Sequence, residues 1–175
     1  YYAGDVQTDE MTAEGAEAGT WFDMDGNYET ANLTLENGDA FWIISSTETA
    51  KVTISGEVPS TANSINIMPG YNMIANPYPK SIKINDLASV SGLTGYDWIN
   101  WESGDTVMIW DPASQGYLTT LYYAGDVQTD EMTAEGAEAS TWFDMDGNYE
   151  TATTEIPAGG AFWIKSSGSG TLTFK

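Results

Sequence analysis

Apolar and polar residues alternate in short runs along this chain, and turn residues punctuate the runs. Ser64–Met68, Tyr71–Ala75, Thr106–Trp110 and Tyr117–Tyr123 each have the length and pattern of a strand. Pro69-Gly70, Asn76-Pro77-Tyr78-Pro79, Asp111-Pro112 and Gln115-Gly116 separate them. Successive side chains of a strand point to opposite faces, so this period-two pattern predicts half-buried strands. Leu33/Leu35, Ala40–Ile44 and Lys51–Ile54 continue it upstream, as do Glu155/Ile156, Ala161–Lys165 and Thr171–Phe174 downstream. Trp21–Ala31 is centred on Asp25-Gly26, a hairpin signal, and a two-residue turn there sets Phe22 opposite Glu29. Ser81–Ile84 reads as an edge strand or as the lead into a helical turn capped by Asn85. Asp5–Ala18 reads as an exposed loop, with a short acidic helix over Glu10–Ala18 as the alternative. No long run follows the helical period. The expectation is an all-β fold, an antiparallel β-sandwich or a related β-rich repeat module.

The pattern is also duplicated. Tyr1–Thr30 and Tyr122–Thr151 are identical at every position except Gly19, which becomes Ser140. Likeness continues more loosely through Phe41-Trp42-Ile43 and Phe162-Trp163-Ile164. An offset of 121 residues suits a repeated domain rather than a solenoid coil. Residues 59–175 read as one complete repeat unit, and residues 1–58 as the C-terminal half of a preceding one. The apolar faces of that half must be buried on something: the complete unit or a neighbouring chain. In a third arrangement, strands of 1–58 join the middle segment in one sheet and 122–175 forms a matching layer.

Charge narrows the function. The chain has 26 carboxylates against five lysines, no arginine, and a net charge of −21. A phosphate backbone needs a positive surface, so nucleic acid is excluded as a partner, and anionic membranes are disfavoured. Like-charged molecules repel, so self-association needs salt, divalent cations or a well-matched apolar contact. Without cysteine or histidine there are no disulfides, thiolate or imidazole metal ligands, or the usual general base. No apolar run is long enough for a membrane-spanning helix, and no membrane insertion is expected. No nucleophile elbow, phosphate loop or distinguished carboxylate pair is present, and the expectation is not an enzyme.

Gly70-Tyr71-Asn72-Met73-Ile74-Ala75-Asn76-Pro77-Tyr78-Pro79 is the most recognisable phrase. It resembles the G-[WY]-N-x-[IV]-x-N-P-[YF]-P motif of β-rich tandem-repeat modules in large secreted or cell-surface bacterial proteins. Asp105–Trp110, Gln115-Gly116-Tyr117, Trp142-Phe143 and Ala158–Ile164 follow in the same order. The resemblance implies an extracellular or cell-surface location and carries no defined biochemical role. The phrase also has a purely architectural reading. Asn76-Pro77 sets an extended bend, the two prolines end a ladder, and Asn72 and Asn76 bond backbone groups.

Three constellations are candidates for chemistry. Asp23, Asp25 and Glu29 recur as Asp144, Asp146 and Glu150 on the duplicated hairpin. They are oxygen ligands for calcium or the polar rim of a plain hairpin. The spacing is not that of an EF-hand. Trp98 and Trp101, in a loop-like stretch with Tyr96, Asp97 and Asn100, are the best carbohydrate platform. Trp42, Trp110 and Trp163 read as core or sheet-edge residues. Tyr1, Tyr2, Tyr122 and Tyr123 are interface candidates or caps on a core. The functional expectation is a structural or adhesive repeat module of an extracellular surface, matrix or filament protein. Its partners are copies of itself or adjacent repeat units. The alternative is a carbohydrate-binding module that takes glycans. No cofactor is implied beyond calcium.

Overall fold

The computed structural model describes residues 1–4, 17–23, 29–46, 51–58, 60–87, 89–97, 104–125, 138–145 and 149–174. They are all-β: eleven strands, every ladder antiparallel, and a single 3-10 turn at Ile84–Asp86. The strands are β1 (Asn63–Ile67), β2 (Gly70–Ala75), β3 (Ile82–Lys83), β4 (Ser89–Ser91), β5 (Thr106–Asp111) and β6 (Gly116–Tyr117). They continue with β7 (Leu121–Tyr123), β8 (Trp142–Phe143), β9 (Glu155–Ile156), β10 (Ala161–Ser166) and β11 (Gly170–Phe174). The chain forms two compact units, Tyr1–Leu35 and Glu36–Lys175.

The larger unit is sandwich-like. One sheet runs β2-β10-β5-β7-β8, with β6 pairing β5; a second runs β1-β11-β4; β3 and β9 form a short ladder. Both sheets are closed by inserting a strand of the repeated segment between strands of the middle segment. Thus β10 lies between β2 and β5, and β11 between β1 and β4. Alternation decides what faces inward. Phe162 and Ile164 of β10, Leu172 and Phe174 of β11, Ile74, Val107, Ile109 and Ile67 are buried together. The rings of Phe162 and Phe174 lie 6.5 Å apart across the layers. Each such side chain contributes roughly 1.5–3 kcal/mol by leaving water. Trp163 and Lys165 alternate to the outer face.

Polar side chains of the middle segment fasten this arrangement by gripping backbone. Asn76, itself buried, donates to the carbonyls of Ile156 (3.2 Å), Pro157 (3.0 Å) and Lys80 (2.8 Å). Its Oδ1 accepts from Tyr78 N–H at 3.0 Å. Asn72 closes the Met68–Gly70 turn through Met68 N–H and carbonyl at 2.9 and 2.8 Å. Asn85 caps no helix. Its Oδ1 accepts from Trp142 N–H at 2.7 Å, and its Nδ2 donates to the carbonyls of Trp142 and Ala152 at 2.9 and 2.8 Å. The edge-strand and helical-turn alternatives at Ser81–Ile84 are both partly realised, as β3 followed by the 3-10 turn.

In the unit Tyr1–Leu35 the segment around Trp21 and Phe22 is hydrogen-bonded on one side to residues 1–4 and on the other to residues 29–31. Tyr2 bridges Trp21 and Phe22 bridges Thr30. The expected register, Phe22 opposite Glu29, is therefore displaced by one residue, and the same holds for Phe143 with Thr151. The Asp-Gly turns themselves lie outside the described residues. Ala40–Ile44 and Lys51–Ile54, predicted as strands, carry no ladder. Among the described residues they lack the neighbours that order their duplicates, β10 and β11. The upstream edge of the sandwich is nonetheless covered, since Asp39 bridges Ile74 and Ala75 N–H donates to the Gly38 carbonyl at 2.9 Å.

Candidate functional site

The outer face of β2, β10 and β5 collects aromatic side chains. The register sets Trp163 beside Met73 on one side and Met108 on the other, with Lys165 opposite Tyr71 and Trp110 opposite Tyr117. Tyr71 meets Trp163 edge-on at 6.2 Å, and Trp110 meets Tyr117 edge-on at 5.1 Å. Trp42 arrives from the upstream copy and stands edge-on to Trp110 at 4.7 Å, interplanar angle 89°. Edge-to-face pairs of this kind add about 0.5–1.5 kcal/mol beyond burial. Phe41, Trp42, Trp110, Pro112, Trp163 and the Pro157–Ala161 turn enclose a cleft of about 340 Å³. A more open hollow of about 280 Å³ lies over Tyr71, Met108, Tyr117 and Trp163. Apolar walls with few polar groups suit a flat apolar face of a ligand better than an ion.

Trp42, Trp110 and Trp163 thus stand half-exposed on the outer face and not in the core. Period-two alternation in β5 and β10 gives the inward places to Val107, Ile109, Phe162 and Ile164. Trp98 and Trp101 lie outside the described residues. Their neighbour Tyr96 is buried against Tyr122 and Phe143, with ring centroids at 5.7 and 6.3 Å. Burial pushes the Tyr96 phenol above its ordinary range, and the nearby Tyr122, Tyr149 and Asp97 push it the same way.

The acidic hairpins are described only at their necks. Asp23 N–H donates to the Glu29 carbonyl at 3.2 Å, and Asp144 N–H to the Glu150 carbonyl at 3.2 Å. Asp25 and Asp146 lie outside the described residues. Among the described residues no group of acidic side chains converges as a metal site. The interface candidates divide by copy: Tyr1 and Tyr2 are exposed, Tyr123 is buried in the core, and Tyr122 is half-buried.

One buried carboxylate had no sequence signal beyond its place in the motif order. Asp105 Oδ2 accepts from Thr94 N–H (3.0 Å) and Ser166 Oγ–H (2.7 Å). Its Oδ1 accepts from Ser167 N–H (2.8 Å) and Ser167 Oγ–H (3.0 Å). Three of these contacts tighten the join between the middle segment and the end of β10, and the fourth ties Asp105 to Thr94 within the middle segment, so the arrangement is structural.

The two copies can be compared bond by bond. Ala3 N–H to Thr20 carbonyl (2.9 Å) matches Ala124 to Thr141 (2.8 Å), and Ala31 to Trp21 (2.7 Å) matches Ala152 to Trp142 (2.8 Å). Gly19 N–H to Gly4 carbonyl (2.8 Å) matches Ser140 to Gly125 (2.7 Å). Tyr2 and Trp21 rings are 5.4 Å apart, and Tyr123 and Trp142 rings 5.3 Å. Burial is what differs: Trp21 is 46% exposed, whereas Trp142 is 1%. Comparison with protein-family models, curated proteins and solved structures finds no match to this chain. Among the described residues no helix is long and apolar enough to cross a membrane.

Proposed function

We propose that this chain is a structural or adhesive repeat module of an extracellular surface, matrix or filament protein, working through copies of itself or adjacent repeat units. The observation that carries the reading is the reproduced hairpin. Two copies hold one hydrogen-bonded frame to within about 0.1 Å, while Trp142 is covered and its duplicate Trp21 is open. A unit that keeps its local shape without its cover is suited to serial assembly. The dense buried polar contacts, Asp105 included, fasten segments to one another. The likeness of the Gly70–Pro79 phrase to secreted bacterial repeat modules supports the extracellular placement, and the −21 charge argues against nucleic acid as a partner. Size-exclusion chromatography with multi-angle light scattering, across sodium chloride and calcium concentrations, tests the reading. Assembly above the monomer mass in some condition is expected, and a strictly monomeric profile throughout defeats it.

A second reading has its own observation. The aromatic cleft around Trp42, Trp110 and Trp163 is a platform on which sugar rings can stack, and Trp98 and Trp101 are further candidates in sequence. Glycan-array binding that falls on Trp110→Ala or Trp98→Ala establishes the carbohydrate-binding module; an array with no signal removes it. Calcium at the Asp23/Asp25/Glu29 and Asp144/Asp146/Glu150 hairpins is compatible with either reading. A melting temperature unchanged by chelation counts against it.

A further inference from the structure

Residues 41–54 repeat the inward-facing positions of β10 and β11. Phe41 and Ile43 correspond to Phe162 and Ile164. With one more residue in the upstream link, Val52 and Ile54 correspond to Leu172 and Phe174. In the downstream copy all four are sealed in the core; in the upstream copy all four are open. Ile43 is 38% exposed against 0% for Ile164, and Ile54 is 70% exposed against 1% for Phe174. The cover in the downstream copy is known residue by residue, because β2 and β5 flank β10 and β1 flanks β11. The 175 residues contain two segments of the covered kind and one of the covering kind, residues 60–121.

We propose that residues 41–46 and 51–54 are an acceptor surface for a polypeptide segment of the 60–121 type, which would enclose them in a second sandwich. The proposal rests on the modular-array reading and names its joint. Three observations favour this occupant. The apolar register is preserved, with Phe, Ile, Val and Ile standing where Phe, Ile, Leu and Phe are buried. The covering segment recognises mainly backbone, through Asn72, Asn76 and Asn85, so it tolerates the divergent sequence of 31–58. Ser166 and Ser167, which donate to Asp105, recur as Ser45 and Ser46, so the upstream copy carries the same donors for the same acceptor.

The match does not extend to β4. A side chain at Gly170 would collide with the Ser91 carbonyl, and the upstream copy has Ala50 at that place. The joint is therefore assigned to the pairings made by β1, β2 and β5.

The test is an extended chain with a second copy of residues 60–121 ahead of Tyr1, so that Leu121 runs into Tyr1 as it runs into Tyr122. Hydrogen exchange is read on residues 41–46 and 51–54, whose sequences occur once. Protection of these amides by about 100-fold relative to the unextended chain is expected. The same extended chain with Val52→Asp and Ile54→Asp should lose that protection while residues 161–174 keep theirs. Equal exchange in extended and unextended chains overturns the proposal. Concentration-dependent protection in the unextended chain also overturns it, by showing that a second copy is the occupant. Protection is an intrachain event and higher assembly an interchain one, so the joint and the functional reading fail separately.

Discussion

At the residue scale the decisive groups are a few buried or turn-bound polar side chains. Each oxygen of Asp105 takes one backbone N–H and one hydroxyl. Asparagine would aim an amide N–H at one of those backbone donors, and alanine would strand both. Asp105→Asn and Asp105→Ala are each expected to lose at least about 2 kcal/mol in denaturant unfolding, since buried donors without partners cost about 1–3 kcal/mol apiece. Asp111 illustrates the exposed case. Ser114 and then Ala113 hydrogen-bond its carboxylate and hold its pKa below the ordinary range. A depressed carboxylate stabilises the folded turn above its unfolded pKa and stops doing so as pH falls through the folded value. Backbone amide shifts of Ala113 and Ser114 should therefore titrate below the usual carboxylate range, and Asp111→Asn should abolish that titration.

At the element scale, alternation carried most of the information. Strands β1, β2, β5, β10 and β11 were legible because their apolar positions recur every second residue and their ends carry Pro, Gly or Asn, whereas β4 was not read as a strand and Tyr117–Tyr123 is split into β6 and β7. Phe22 was misplaced by one residue because the loop length, which sets hairpin register, is not encoded by Asp-Gly alone. Ala40–Ile44 and Lys51–Ile54 have strand sequences and no ladder, because a strand is completed by its neighbours and sequence pattern reports only one partner. The same limit applied to Trp110 and Trp163: apolar strands predict burial, but the face each residue takes is set by register. Asp105 was illegible as a clasp because its partners lie far along the chain. Paired truncations expose this dependence. Ile164→Ala should cost about 2–5 kcal/mol, the usual range for emptying a filled core site, whereas Ile43→Ala should cost well under 1 kcal/mol. Equal losses in thermal or denaturant unfolding would mean that the upstream copy is already packed.

At the scale of the whole molecule the governing quantity is charge. Twenty-six carboxylates against five lysines give a net charge of −21, and among the described residues the interior takes up only one of those carboxylates, Asp105. Self-repulsion of that size opposes compaction of each unit and opposes stacking of one unit on another. Both penalties fall as the Debye length shrinks from about 30 Å at 0.01 M salt to about 3 Å at 1 M. Raising sodium chloride over that range should therefore raise the melting temperature and, at fixed protein concentration, increase any fraction above monomer mass. The two effects separate by protein concentration, because folding of a unit is independent of it and association is not. A melting temperature that falls with salt would place the stability in surface ion pairs instead. That outcome conflicts with the scarcity of lysine and with a core held by apolar burial and by uncharged donors to backbone carbonyls.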